Sequence, residues 1–411
     1  MLWFDRLRVV LRTMRYREAW SFRPGQSLAF LRYLAQMRPT WRGGVAEINA
    51  YTPPVGGESY RRYLAGLRRM SRGQWVPLVA HVSVTDRCAY GCKWCSNFGR
   101  LPEDRPLADM RRMIDDLRSA GTARVALTGG EPLLREDLSQ IVEICGAEMS
   151  PLLFTSGQGM KPGRVRELAS AGLAAVFVSL DHSGPGEHDR IRGMAGAFDG
   201  AVEAIRRFLD AGIYTAAQAV VTSELLRPGQ MDAYLQFCGR IGVHEVMLLE
   251  PVPVGPRPVS DAPDPDTRKL LADLHRRSSR DSRLPKVSSM SHLESPECLG
   301  CQAGFSFVYI SASGDVFPCD FAPASFGNVF EVGMEEILRR LGRTLKGPSQ
   351  TCLALRLRDL CGPGREYPLQ WDETRAVLGD YVPGPPPAMS RCLCKTRACA
   401  ISPASDRYNG Q

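Results

Sequence analysis

Long apolar runs are missing from this chain, and none reaches the roughly 18 residues of a membrane-spanning helix, so we expect no such helix. A secretory signal is not evident either, because the apolar positions of the basic N-terminus alternate with arginines. Lysine is absent and acidic residues are scarce in residues 1–80, which hold 14 arginines and four carboxylates and therefore carry a charge of +10. Since the whole chain has a net charge of +8, the rest is at about −2, and we expect no nucleic-acid partner.

The thirteen cysteines do not suit a disulfide framework. Their number is odd and their clustered spacing is typical of metal ligands, which predicts a reducing, cytoplasmic environment. Cys88, Cys92 and Cys95 lie close together on one predicted loop. A closed zinc site or a fully ligated four-iron cluster takes four protein ligands, so three thiolates leave one metal position open for a substrate or cofactor. The alternative is half of a zinc site that distant cysteines complete.

A second motif follows one strand later. Residues 124–128 are apolar and predict a strand that ends in Gly129-Gly130-Glu131-Pro132. Two glycines permit the backbone to approach a ligand closely, and a proline at this point can open a helix. A carboxylate held between them is well placed to bind an ammonium group. The alternative is an ordinary turn.

These motifs resemble those of the radical S-adenosylmethionine (SAM) superfamily over about residues 80–255. The cysteine loop, with an aromatic residue before its third cysteine, resembles the family's cluster loop, and Gly-Gly-Glu-Pro resembles the motif that contacts the amino group of SAM. The resemblance makes Ser179 and Arg192 candidates for holding the ribose and carboxylate, and places Ser156 where relatives commonly have asparagine. The cofactor-binding residues predicted in this way are Trp94, Gly129, Gly130, Glu131, Pro132, Ser156, Ser179 and Arg192.

The same resemblance implies the cofactors and the reaction. A 4Fe-4S cluster with one open iron binds SAM, and a reductant such as ferredoxin or flavodoxin supplies an electron. Reductive cleavage of SAM then gives a 5′-deoxyadenosyl radical that abstracts hydrogen from the substrate. The protein contributes positioning, electronic tuning and the exclusion of water.

Alternating strands and helices predict the fold. We expect strands at 81–85, 124–128, 151–155, 174–180, 214–222 and 245–250. We expect helices near 106–120, 135–147, 162–171, 198–212 and 229–241. This alternation indicates an α/β fold of parallel βαβ units, and six units suit the open (β/α)6 partial barrel that the resemblance implies. Because loops at the carboxyl ends of the strands carry the site in such barrels, the motifs above should meet there.

Composition divides the chain into four parts. An arginine-rich, mainly helical extension at 1–78 precedes the barrel at 79–255. A turn-rich linker at 256–297, with a short helix near 265–278, leads to a small cysteine-rich C-terminal domain at 298–411.

The C-terminal cysteines suggest further clusters. Eight remain as metal-ligand candidates once the barrel is set aside: Cys298, Cys301, Cys319, Cys352, Cys361, Cys392, Cys394 and Cys399. Cys301 and Cys319, with a turn at Gly314 between them, resemble the opening of a SPASM-type auxiliary cluster domain, although the usual C-x2-C-x5-C-x3-C run is missing. Eight ligands suit two closed iron–sulfur clusters. The alternatives are one cluster with a zinc site, or one cluster with unligated tail cysteines.

Asp320 directly follows Cys319 and is the candidate catalytic base. Sulfatase-maturating relatives have a similar Cys-Asp step, and its aspartate is proposed to act as a base. The alternative is a surface carboxylate that caps a turn. Because SPASM-type relatives often modify peptides or proteins, we expect hydrogen abstraction from such a substrate, with net oxidation or cross-linking.

The first 14 residues have apolar positions at helical spacing with arginines mainly on the other side. Such a helix can lie in a membrane interface, so residues 1–40 are a candidate for peripheral membrane contact, and a lipid or membrane-associated metabolite is the alternative substrate. The other interpretation is a helix packed on the barrel or in a dimer. A second alternative for the whole chain is a non-catalytic iron–sulfur or zinc protein, which would leave Glu131, Ser179 and Arg192 without a shared purpose.

Overall fold

The computed structural model describes residues 2–20, 24–49, 51–92, 95–97, 103–252, 264–361 and 367–379. Its strands in chain order are β1 (Thr40–Arg42), β2 (Val45–Glu47), β3 (Val79–Thr85), β4 (Arg124–Gly129), β5 (Ser150–Thr155), β6 (Ala175–Ser179), β7 (Tyr214–Val220), β8 (Glu245–Leu249), β9 (Val287–Ser289), β10 (Phe307–Ile310) and β11 (Val316–Phe317). The first two form a separate hairpin, and the other nine form one sheet in the order β11-β10-β3-β4-β5-β6-β7-β8-β9.

The sheet is parallel from β10 to β9, and β11 alone runs antiparallel to its neighbour. The six strands expected from the sequence are β3 to β8, each within two residues of its predicted bounds. Because β9 and β11 stand at the two ends of the order, the sheet is an open partial barrel. The predicted α/β fold class is therefore confirmed.

The helices cover the outer face of the sheet or lie at its ends. They are α1 (Leu2–Thr13), α2 (Pro24–Gln36), α3 (Glu58–Ser71), α4 (Leu107–Ala120), α5 (Leu138–Cys145), α6 (Arg164–Ser170), α7 (Pro185–Arg192), α8 (Ala197–Asp210), α9 (Gln230–Arg240), α10 (Pro265–Arg280), α11 (Met290–Leu293), α12 (Val329–Leu345), α13 (Leu353–Cys361) and α14 (Trp371–Leu378). Among the described helices, none combines the length and the apolar character needed to cross a bilayer.

Side chains of each strand alternate between the two faces of the sheet. On β3, Ala80, Val82 and Val84 belong to the cluster that packs under the outer helices, whereas His81 lies against aromatic rings inside the barrel. A second apolar cluster fills the barrel interior, and includes Phe177 of β6. The polar residues that end the strands are therefore left at the carboxyl edge of the sheet.

The N-terminal extension meets buried charges at the amino end of the barrel. Nη1 of Arg124 lies 3.7 Å from Oε2 of Glu47 and donates to the carbonyl of Thr52 at 3.0 Å. Lys286 pairs with Glu245 at 3.1 Å beside them. Removing one partner of a buried ion pair leaves an uncompensated charge, so these contacts hold the β1–β2 segment against the barrel.

The prediction of a linker at 256–297 is wrong for the described part of this segment, which packs as part of the barrel. The helix expected near 265–278 is present as α10, and its Leu271 and Leu274 are buried in the main core. β9 then pairs in parallel with β8, with Val287 opposite Val246. A strand of three residues is too short to give a periodic signal, which is why the sequence did not predict it.

The C-terminal domain extends the barrel sheet from its other side. β10 pairs in parallel with β3, and β11 returns antiparallel to it after the turn predicted at Gly314. Gly314 has φ +95°, and a Cβ there would meet the ring of Phe330. The hairpin brings the next residues of the chain, Cys319 and Asp320, beside the barrel interior.

Candidate active site

The three predicted cluster cysteines lie on the loop after β3: Cys88, Cys92 and Cys95. Neighbouring loops hold this loop through its backbone. The amide of Gly91 donates to the carbonyl of Arg192 at 3.1 Å, and the amide of Ala89 donates to Oε1 of Gln158 at 3.3 Å. The loop is thereby attached to the end of α7 and to the segment after β5.

The thiols of this loop suit metal ligation. Burial raises the pKa of Cys88 and of Cys92. At Cys92 the guanidinium of Arg192, whose Nη1 lies 3.6 Å from the sulfur, opposes that increase. Metal ligation requires the thiolate, so a bound cluster would supply the positive charge that burial makes necessary. Three thiols on one loop fit an iron–sulfur cluster with one iron free of protein ligands.

The two glycines of Gly-Gly-Glu-Pro bring this loop against β4. Gly129 has φ +125°, and a Cβ there would overlap the carbonyl oxygen of Thr85. A Cβ on Gly130 would overlap the carbonyl of Arg87. The amide of Gly130 donates to Thr85 at 2.7 Å, and that of Glu131 donates to Arg87 at 2.8 Å. The glycines are therefore required by the approach of two protein segments, a reason that the sequence analysis did not find.

Glu131 is buried and its carboxylate is fixed by the loop after β5. Oε1 accepts hydrogen bonds from the hydroxyl of Thr155 at 2.6 Å and from the amide of Leu133 at 3.0 Å. Oε2 accepts from the amide and the hydroxyl of Ser156 at 2.7 and 2.6 Å. Burial raises the pKa of Glu131, and the hydrogen bonds from Ser156 and Thr155 oppose this. Pro132 begins a short 3-10 helix immediately afterwards.

Arg192 lies at the end of α7 between the cluster loop and a buried carboxylate. Its Nε is 2.6 Å from Oδ2 of Asp181, and Oδ1 of Asp181 accepts the amide of Val220 at 3.0 Å. The amide of Asp181 donates to Nδ1 of His188 at 3.1 Å, and burial lowers the pKa of His188 to about 4. Arg192 therefore links the loops after β6 and β7 to Cys92.

The remaining predicted cofactor contacts are Ser179 and Trp94. Ser179 is half-buried at the carboxyl end of β6, opposite Gln218 of β7. This is the edge at which the cysteine loop and Glu131 also lie. Trp94 lies outside the described residues.

Three of the eight C-terminal cysteines come together: Cys301, Cys319 and Cys352. A hydrogen bond between the thiols of Cys301 and Cys352 raises the pKa of the first and lowers that of the second. Burial raises the pKa of Cys319, and the nearby Cys352 adds to this. Within the part of the chain that the structure describes, no three His, Cys, Asp or Glu side chains are placed so that they could together hold a single metal ion.

The structure does not bring Cys298 to this group. It is buried in the apolar cluster of the N-terminal extension, near Tyr33, and burial raises its pKa to about 11. Cys361 ends α13, but its side chain lies outside the described residues, as do Cys392, Cys394 and Cys399.

Asp320 is held at the boundary between the barrel and the C-terminal domain. Its Oδ1 lies 3.0 Å from Nδ1 of His81. Tyr309 lies close by, and its pKa is raised first by burial, then by the charge of Asp320, with Asp86 and Cys95 acting in the same direction. Tyr309 is therefore close to Asp320 and to the residues at the start of the cluster loop.

A cavity of about 840 Å³ lies on the open side of the barrel, lined by Asp320 and by the three converging cysteines. Its other walls come from the N-terminal extension, from β10 and from the segment around α10 and α11. Glu294 lines this cavity, and burial, with the nearby Cys352 and Glu250, raises its pKa to about 8. Most of the lining is apolar or aromatic, including Tyr51, Met290 and Phe307.

Four residues of the site were not found by sequence reasoning: His81, Gln158, Asp181 and Tyr309. Only His81 could have been found from the sequence, because a titratable side chain stands out in a predicted strand that is otherwise mainly apolar. The other three lie near recognised motifs, but their partners are distant in the chain.

Comparison with known proteins agrees with this geometry. Residues 82–236 match the Radical SAM superfamily, and residues 301–346 match SPASM, an iron-sulfur cluster-binding domain. The AdoMet-dependent heme synthase of Methanosarcina barkeri is 24% identical in an alignment 338 positions long, which covers 75% of this chain and 95% of that protein. The mycofactocin maturase MftC of Mycolicibacterium smegmatis is 27% identical over 62% of this chain and 67% of its own.

A solved structure is similar in fold. Streptococcus suis SuiB bound to the precursor peptide SuiA superposes with a TM-score of 0.54 and 18% identity, covering 68% of each chain. The segment that matches the radical SAM model, residues 82–236, contains the cysteine loop, Glu131 and Arg192. The segment that matches the SPASM model, residues 301–346, contains Cys301 and Cys319. The cofactors are accordingly a 4Fe-4S cluster, SAM and auxiliary iron–sulfur centres. This chain therefore carries a radical SAM domain and a SPASM-like C-terminal domain.

Proposed function

We propose that this protein uses radical SAM chemistry to oxidise or cross-link a side chain of a peptide or protein. The observation that carries the proposal is the cavity of about 840 Å³, whose wall includes the converging cysteines and Asp320. Ligand pockets commonly measure 300–1,000 Å³, so this one can admit a large side chain with neighbouring backbone. A side chain bound there would lie between the auxiliary cysteines and the barrel.

Two of the similar proteins support a peptide substrate. One is named as a maturase and another was solved with a precursor peptide. The N-terminal extension, which contributes Tyr33, Tyr51 and Tyr63 to the cavity, would then contact the substrate outside the reacting side chain. The aromatic part of the cavity wall suits an apolar or aromatic target residue.

The residues take distinct roles in this proposal. Glu131, Ser179 and Arg192 would hold SAM at the carboxyl edge of the sheet, and Cys88, Cys92 and Cys95 would hold the cluster. When bound, SAM and its cluster would supply the radical that removes a hydrogen atom, and an auxiliary cluster at Cys301, Cys319 and Cys352 would accept one further electron. The substrate then loses one proton, for a net two-electron oxidation. Asp320 is placed to accept that proton, and His81 orients its carboxylate.

The first test concerns SAM cleavage. The protein is reconstituted anaerobically, reductant and SAM are added, and 5′-deoxyadenosine is quantified. The variant Glu131→Gln should lower its formation by about 100-fold, because misplaced reactants lose roughly that much rate. Glu136→Gln is the matched control, since Glu136 is exposed and pairs only with Lys161 among the described residues. Equal cleavage by the Glu131 variant would show that the site is wrongly assigned.

A lipid or membrane-associated metabolite is the second candidate substrate. The observation that favours it is the apolar part of the cavity wall, where Phe30, Leu67 and Met70 of the N-terminal extension lie. The cleavage assay is therefore run with a peptide fraction, with a detergent-dispersed lipid extract of the source cells, and with a porphyrin, because one relative is a heme synthase. The fraction that raises 5′-deoxyadenosine and is itself altered identifies the substrate class.

A further inference from the structure

The first helix, α1, packs on the protein partly through its arginines. Nε of Arg6 donates to the carbonyl of Met37 at 3.1 Å. Arg12 donates to the carbonyl of Gly44, and its guanidinium lies over the ring of Trp41, 5.0 Å from the centroid. These contacts use side chains that a simple amphipathic pattern would leave in water.

The apolar side of α1 faces outward as a result. We call Trp3, Phe4, Leu7 and Leu11 the exposed stripe. Their exposed fractions are 66%, 65%, 36% and 51%, so the described residues leave each of them at least one third exposed. Trp3, Leu7 and Leu11 recur every four residues and lie on one face of the helix. Val9 and Thr13 on the opposite face are buried, which fixes this orientation.

The exposed stripe is bordered by positive charge. Arg8 has 56% of its side chain exposed, although its guanidinium lies 4.0 Å from Asp5 and over the ring of Trp41, 4.1 Å from the centroid. Arg15 and Arg17 are exposed just beyond the helix, and Nε of Arg17 lies 3.5 Å from Oε1 of Glu18. Trp20 is 57% exposed in the same region. Aromatic and aliphatic side chains with arginines beside them are the composition of helices that lie in a bilayer interface.

We propose that the exposed stripe docks on an anionic lipid surface, with α1 lying in the plane of the interface. Lipid phosphates accept paired hydrogen bonds from arginine, and an anionic leaflet attracts basic segments. A second copy of this chain fits less well, because a two-fold contact places the same patch on both sides and sets arginine against arginine. This surface does not depend on the identity of the substrate.

The test is sedimentation of the full chain with vesicles. Vesicles of phosphatidylglycerol mixed with phosphatidylcholine are compared with vesicles of phosphatidylcholine alone. Binding should require the anionic lipid and weaken with added salt, since exposed charges are screened. The double variant Trp3→Gln/Leu7→Gln should bind about tenfold more weakly. Leu270→Gln is the matched control, because Leu270 is 45% exposed on α10.

The charge contribution is tested separately. Arg8→Gln/Arg15→Gln should weaken binding and flatten its salt dependence, whereas Arg283→Gln, at an 88% exposed arginine, should change neither. Equal vesicle binding by the wild type and the Trp3→Gln/Leu7→Gln variant would overturn the proposal. The proposal would also be overturned if the protein did not bind vesicles but self-associated with increasing concentration, and if Trp3→Gln/Leu7→Gln abolished that self-association. The occupant of the stripe would then be a second copy of the chain.

Discussion

His81 and Asp320 are separated by 239 positions in the chain, yet Nδ1 of His81 lies 3.0 Å from Oδ1 of Asp320. The ring of His81 also packs against Phe307 and Phe154, with centroids 4.5 and 5.1 Å away. One residue comes from the first barrel strand and the other follows the C-terminal hairpin. Their contact forms where β10 pairs with β3, and it orients a carboxylate on the wall of the cavity.

Asp320→Asn should uncouple SAM cleavage from substrate oxidation. Loss of a general base typically costs 10²–10⁴-fold, so we expect about that loss of oxidised product while 5′-deoxyadenosine still forms. The two products are quantified in the same reaction, with Glu335→Gln on an exposed helix surface as the control. A parallel loss of both products would show that Asp320 supports the SAM site or the fold and is not the base.

The auxiliary cysteines should separate into ligands and packing residues. Cys319→Ala and Cys352→Ala should each lower the iron content by about four atoms per chain, the content of one cubane cluster. Cys298→Ala should leave it unchanged, because Cys298 lies in the apolar cluster of the N-terminal extension. Iron analysis and Mössbauer spectroscopy make the comparison. Loss of a cluster in the Cys298 variant would contradict this placement.

Arg192→Lys should weaken the SAM site although it preserves the positive charge. A lysine ammonium cannot reproduce the planar contact with Asp181 and the approach to Cys92 together. Changes to residues that orient metal ligands cost about 10–100-fold, so we expect SAM cleavage to fall by about tenfold. The neighbouring Arg190→Lys, at an exposed surface pair, should have no effect. The electron paramagnetic resonance signal of the reduced cluster should change only in the first variant.

Stability should depend on pH through His188. Its pKa is about 4 in the folded protein and 6.5 in the unfolded chain, so between these values the unfolded state binds more protons. The free energy of unfolding therefore falls as the pH decreases from 6.5 towards 4, by up to about 3 kcal/mol from this residue. His188→Asn, whose oxygen can accept the Asp181 amide, should show a smaller decrease between pH 7 and 5 in urea titrations. Identical pH dependence of both proteins would refute the assignment.

Local patterns sufficed for much of the fold and for part of the site. Continuous apolar runs placed β3 to β8 within two residues, because a strand buried on both faces must be apolar along its length. The motif residues Glu131 and Ser156 were predicted at the same edge, and three hydrogen bonds to the Glu131 carboxylate, one from Thr155 and two from Ser156, now connect these segments. β9 escaped prediction because three residues show no period.

The sequence by itself determined the chemistry, since three closely spaced cysteines and a Gly-Gly-Glu-Pro segment are short-range features that any fold must keep together. Only the tertiary structure decided which distant residues meet. It separated Cys298 from Cys301, joined His81 to Asp320, and turned the apolar stripe of α1 outward. Each of these depends on strand pairing or helix docking between segments far apart in the chain, whose contact energies no local pattern records.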